Sequence, residues 1–167
     1  RKDQWYREVA QTMLEWSRLR LKTLMLATSY ADVEGIGLAA KELGVRGVFA
    51  PERGVSMQDQ KLTFAADSVW CWVATGSAWT GMDLPVPIRR LAVTRLPLLN
   101  PEGDEEGALP EEVLFDSVSR FRQGAGRMVR SEEAGDSKWL VLMDGRINEA
   151  SPWWRSLCQP YLQVLSE

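Results

Sequence analysis

Five short apolar runs set the limits on what this chain can fold into: TLMLAT (23–28), RGVFAP (46–51), SVWCWVAT (68–75), LAVTRL (91–96) and KWLVLM (138–143). A continuous apolar run keeps no polar face for water, so it suits a strand covered on both sides. Helical patterns lie between the runs. In residues 2–20, Trp5, Val9, Met13, Trp16 and Leu19 recur at three- and four-residue steps, which predicts an amphipathic helix. SYADVEGIGLAAKELG follows the first run, with Ser29 as a cap, Asp32 three residues on and Gly44 to close the helix. SMQDQKLTFAAD (56–67) reads as a short helix, residues 111–130 as a longer one, and SPWWRSLCQ (151–159) as a closing helix with Pro152 in its first turn. The stretch 101–112, acidic and rich in Gly and Pro, reads as a loop. Short apolar strands alternating with helices predict an α/β domain with a mostly parallel sheet flanked by helices on both faces. Ligands on such a sheet sit at the carboxyl ends of the strands, where Ser29 and the segment from Thr75 to Asp83 fall.

The length of 167 residues suits one domain: a leading helix over 1–22, a core over 23–150, and a closing helix and tail over 151–167. A net charge of -3 argues against a strongly basic nucleic-acid module and leaves a local phosphate contact open. There is no histidine, and Cys71 and Cys158 stand far apart, so a zinc site and the usual hydrolase triads are excluded. Chemistry here must run through arginine, carboxylate or backbone groups. No eighteen-residue apolar run is present, so no membrane partner is expected. The first residues lack both an apolar signal core and an initiator methionine, which predicts a piece of a longer, cytoplasmic protein.

Two segments carry candidate chemistry. In FRQGAGRMVRS (121–131), Gln123, Arg127 and Arg130 stand at i, i+4 and i+7 and share a helix face. Two guanidiniums on one face suit a phosphate, or a solvated face paired with Glu132, Glu133 and Asp136. Gly124 and Gly126 favour the first reading, because each interior glycine costs a helix roughly 0.5–1 kcal/mol and a solvated face has no use for it. In ATGSAWTGMDLP (74–85), a strand ends at Thr75 and a loop follows with Gly76, Gly81 and Asp83. Its free N–H groups, hydroxyls and carboxylate suit a phosphate, a sugar hydroxyl or a water; the plainer reading is a tight turn with Asp83 as a local cap and Trp79 in the core. GAGRMV lacks the third glycine of a dinucleotide fingerprint, and no GxxxxGK[ST] occurs. DGRI (144–147) reads as a turn.

In order, VATGSAWTGMDLP, LAVTRLPLLNP, FRQGAGRMVRS and WLVLMDGRI resemble the second, C-terminal motor domain of DinG/XPD-type superfamily 2 DNA helicases, from about Leu24 to Ile147. The family's last motif, Q-x-x-G-R-x-x-R, is matched at Gln123, Gly126, Arg127 and Arg130, and its Trp-x-Gly-x-Asp core at Trp79, Gly81 and Asp83. Ser29 and Tyr30 match a looser strand–Ser-Tyr–helix element. The resemblance implies a RecA-like fold that works with a first motor domain of the same protein. That partner domain holds ATP and Mg2+, and it carries the iron–sulfur cluster where the family has one; this domain alone binds no cofactor. Arg127 and Arg130 are then arginine fingers, with Gln123 positioning the helix or a water. Gly81, Asp83 and Gly126 line the nucleotide cleft, and Ser29, Tyr30 and Thr75 contact single-stranded DNA. The implied activity is ATP-dependent 5′-to-3′ DNA unwinding in repair. The alternative is a RecA-like binding module without ATPase activity, as in a divergent CRISPR-associated relative. Two departures stand out: Thr80 replaces a frequent Glu, and the connection from Pro101 to the arginine helix is short.

Overall fold

A computed structural model describes residues 1–79, 83–95 and 139–144. All five apolar runs form strands: β1 (Thr23–Leu26), β2 (Val48–Phe49), β3 (Cys71–Ala74), β4 (Arg90–Val93) and β5 (Trp139–Leu142). They make one sheet in the order β2-β3-β1-β4-β5. Every neighbouring pair is parallel, with Leu24 beside Trp72 and Leu91, and Leu91 beside Leu140. This is the α/β arrangement expected of a RecA-like domain.

The strands are short and apolar because helices cover both of their faces. Side chains alternate across a strand, so Met25, Cys71, Val73 and Ala92 share one face. They form a buried cluster with Val9, Ala10 and Met13 of α1 (Lys2–Trp16) and with Val33, Ile36, Ala39 and Ala40 of α2 (Tyr30–Glu42). The opposite face carries Trp72, which meets Phe64 of α3 (Met57–Phe64) at a ring separation of 5.4 Å and donates its indole N–H to Gln60 at 3.3 Å. Each fully buried Leu, Met or Phe stabilises such a core by about 1.5–3 kcal/mol.

The helix ends follow local chemistry. Ser29 Oγ accepts from the Asp32 amide, and Ser56 Oγ accepts from the Asp59 amide, both at 3.1 Å, so a serine caps each of α2 and α3. At the other end of α2, Val45 N–H donates to Ala40 and Gly44 N–H to Lys41, and Gly44 takes a left-handed φ of 74°. That is a Schellman closure. Lys22 reaches from the start of β1 to the last carbonyls of α3, donating to Phe64 at 2.6 Å and Ala66 at 2.9 Å. The leading helix is shorter than its periodicity suggests. It ends at Trp16, where Ser17 turns its hydroxyl back onto the Leu14 carbonyl. Arg20 then takes a positive φ that redirects the chain, so Leu19 lies outside the apolar stripe and is exposed. The predicted helices at 111–130 and 151–159 lie outside the described residues.

Gly47 joins β2 to the sheet. Its carbonyl accepts from both Trp70 and Cys71, its φ is 76°, and a Cβ there would meet the Ser68 carbonyl oxygen at 2.8 Å. Gly44 has a similar φ but open space around it. Gly47→Ala is therefore expected to destabilise the fold by about 1–3 kcal/mol, and Gly44→Ala by less. Denaturant midpoints of the two variants check this; equal losses would mean that the backbone clash at Ser68 plays no part.

Candidate functional site

At the carboxyl edge of the sheet the chain reverses its direction of travel. From β1 it runs out to β2 on one side and later crosses to β4 on the other, and a crevice at such a switch point is where α/β sheets take ligands. Hydrogen bonds carry the register past the strand ends. Ala27 N–H donates to Ala74 at 2.8 Å, Thr94 N–H to Leu26 at 3.0 Å, and Met143 N–H to Val93 at 2.9 Å. Thr75, Ala27, Thr94 and Met143 therefore stand level at the ends of β3, β1, β4 and β5, and Thr28 and Asp144 follow one residue further on. Thr94 adds a side-chain bond to the Leu26 carbonyl at 2.8 Å, which fastens β4 to β1 at this edge.

Asp32 organises the edge beneath Ser29. The residue is 2% exposed. Its carboxylate accepts from Tyr6 Oη at 2.8 Å, Thr28 Oγ1 at 3.2 Å and Lys2 Nζ at 3.4 Å. Burial works against the charge, but the Tyr6 hydroxyl, the Lys2 ammonium and the Ser29 and Thr28 hydroxyls outweigh it, and the carboxyl is held below its ordinary pKa. Tyr6 is affected in the opposite sense: burial, then the bond to Asp32, push its hydroxyl up to about 12. Gly35 makes this contact possible, because a Cβ there would lie 2.2 Å from the Tyr6 ring. The spacing Ser29-x-x-Asp32 suggests a capping box, but the Asp32 carboxylate goes to Tyr6, Lys2 and Thr28, so α1 is tied to the start of α2.

The structure brings some of the expected site residues together. Ser29 and Thr75 stand at the ends of adjacent strands. Ser29 Oγ accepts from the Asp32 amide, and its hydroxyl also supports the Asp32 carboxylate. Thr75 is buried, and its carbonyl accepts from Ala78 in the 3-10 turn Gly76–Trp79. Tyr30 sits one residue into α2 and turns toward the β2 side, where the Arg53 guanidinium lies 5.3 Å from its ring. Asp83 is exposed beyond the turn. Gly81, Gln123, Gly126, Arg127 and Arg130 lie outside the described residues.

Three residues at this edge have no motif to announce them. Asp32 looks from sequence like a cap, Arg53 like part of a PERG turn, and Arg95 like the end of a strand. Arg95 packs over the Trp5 ring at 4.6 Å, and strand register sets it beside Asp144. Trp5 is half-buried on the apolar stripe of α1, so its sequence pattern gives no sign of Arg95.

No family model matches the chain. A search of curated proteins finds similarity to the protein named 3′-5′ exonuclease DinG of Staphylococcus saprophyticus, 33% identical over 84 residues. The matched stretch is 45% of this chain and 9% of that protein, so the chain spans under a tenth of the relative's length. The match supports a loose DinG-like relationship.

The Tyr6–Asp32 pair has a pH signature. A hydroxyl whose folded pKa is raised contributes stability that is complete below about pH 10 and is lost as pH rises toward about 12. A depressed carboxyl contributes stability that is present above its unfolded pKa of about 3.9 and is lost on acidification below it. Tyr6→Phe is expected to lower stability at neutral pH and to flatten the alkaline loss between about pH 10 and 12. Urea midpoints measured across pH decide it; an alkaline limb unchanged in Tyr6→Phe rules the pair out as its source.

Proposed function

We propose that this chain is the second motor domain of a DinG-like, ATP-dependent DNA helicase. The observation that carries the reading is the sheet's carboxyl edge, where Ser29 and Thr75, the starts of two motifs far apart in sequence, stand on adjacent parallel strands beside the switch point. The loose match to DinG points the same way.

On this reading the chain's own groups divide the work. Ser29 and Thr75 offer hydroxyls to the phosphates of a single strand, and Tyr30 an aromatic face. Gly81 and Asp83 line the nucleotide cleft and couple it to that strand. Arg127 and Arg130, with Gln123 and Gly126 ahead of them, reach ATP and Mg2+ held on a first domain. There a guanidinium stabilises the charge that spreads over the transferring phosphoryl oxygens. This chain has no P-loop lysine, so hydrolysis needs both domains.

The test uses the full-length protein. Arg127→Ala and Arg130→Ala are each expected to cut DNA-stimulated ATPase by about 10³–10⁵ in kcat and to leave the thermal melt unchanged. ATPase and unwinding that survive both substitutions overturn the arginine-finger role, and a full-length protein without DNA-stimulated ATPase favours a binding module. An end-labelled single strand in the same reaction separates unwinding from the degradation implied by the relative's name.

A further inference from the structure

A groove of about 660 Å³ opens beside the sheet's carboxyl edge, between α2 and the segment that leaves β2. Tyr30, Glu34 and Leu38 line it from the helix, and Pro51, Glu52 and Arg53 from the facing segment. Gly37 lets the two walls meet: a Cβ there would lie 2.6 Å from the Ala50 methyl carbon. Arg53 lies against the Tyr30 ring, and among the described residues it has no ion pair with a carboxylate.

The lining chemistry narrows the occupant. Glu34 and Glu52 offset Lys41 and Arg53, so the ionisable side chains of the groove sum to zero charge. A phosphate gains little from such a wall. A flat, uncharged π system gains more, since it can extend the stack that the Arg53 guanidinium and the Tyr30 ring already form. Polar groups around the platform, including the Glu34 and Glu52 carboxylates, can meet the edge of a base.

We propose that Tyr30 and Arg53 form a stacking platform for an unpaired nucleobase, at the mouth of this groove, in a bound single strand. The proposal rests on the motor-domain reading and adds to it a base contact and a residue, Arg53, that no motif marks.

The experiment measures binding of oligo(dT) and of an abasic strand of equal length to the full-length protein over a range of salt. Stacking on one aromatic ring is worth about 1–3 kcal/mol, so Tyr30→Ala should weaken oligo(dT) binding by about 5- to 150-fold. The salt slope should stay constant, because no phosphate contact is lost. The abasic strand should bind wild type and Tyr30→Ala alike, and Tyr30→Phe should behave as wild type. Arg53→Ala should weaken oligo(dT) binding, and the double variant should lose less than the two single losses multiplied together. The platform is overturned if Tyr30→Ala weakens abasic and dT strands equally. It is also overturned if Tyr30→Phe loses as much as Tyr30→Ala, or if neither variant changes binding, which would leave the groove to a peptide. DNA-stimulated ATPase in these variants reports on the parent reading separately: wild type lacking it removes the motor reading, whereas its presence alongside any overturning result removes the platform alone.

Discussion

The structure depends on β1 being paired on both sides. Thr23 to Leu26 bond to β3 on one flank and β4 on the other, and all four residues are fully buried. Water cannot reach those peptide groups, so each must be satisfied by a neighbouring strand. That requirement fixes the strand as central and parallel, and it sets the register that places Thr75 beside Ala27 and Thr94 on the opposite side. The functional edge is thus a consequence of how the core is hydrogen-bonded. A slip of one residue in β1 would turn Met25 away from the α1–α2 face and displace Ser29 from the end of β3.

The leading helix is bound to this frame by the apolar packing of Val9, Ala10 and Met13 and by cation–π and polar contacts around it. Arg90, at the head of β4, lies 4.2 Å from the Trp16 ring, and Arg95, just past the strand's other end, lies 4.6 Å from the Trp5 ring. Burial lowers the pKa of Arg90, so its charge is held where desolvation costs most, and the aromatic face and the Thr23 hydroxyl offset part of that cost. Together with the Tyr6–Asp32 bond, these contacts hold α1 near both of its ends. Any displacement of α1 must act on Asp32, and through it on Thr28 and the cap at Ser29. The first helix is therefore mechanically connected to the edge that the motor reading assigns to nucleic acid.

Much of the fold was legible in the sequence because it rests on local and periodic signals. The apolar runs gave every strand, since a strand buried on both faces has no alternation to confuse it. Ser29 and Gly44 marked α2 because capping is chemistry of the backbone within a few residues. The end of α1 was misjudged because Leu19 continues the period while Ser17 and Arg20 break the helix; periodicity records which residues are apolar and not where the backbone turns. At the carboxyl edge, Ser29 was legible as the cap of α2 and Thr75 as a strand end. Asp32 was not, because its partners are Tyr6 and Lys2, more than twenty residues away and on another helix. Arg53 was not, because its aromatic partner is joined to it only by the return of the chain through β2.

Ser29 and Tyr30 are neighbours in sequence, and the start of α2 sends them to different chemical tasks. Ser29, as the cap, has extended backbone angles and stays at the strand end, its hydroxyl tied to the first turn. Tyr30, already helical, projects over the groove toward Arg53. A nucleotide likewise has two ends, a phosphate that wants donors and a base that wants a flat, desolvated surface. On the motor reading, the break in backbone conformation at a helix start lets consecutive residues meet both. On that argument Arg53 belongs with the base and not with the phosphate: its charge is balanced within the groove by Glu34 and Glu52, and its plane is already committed to the Tyr30 ring.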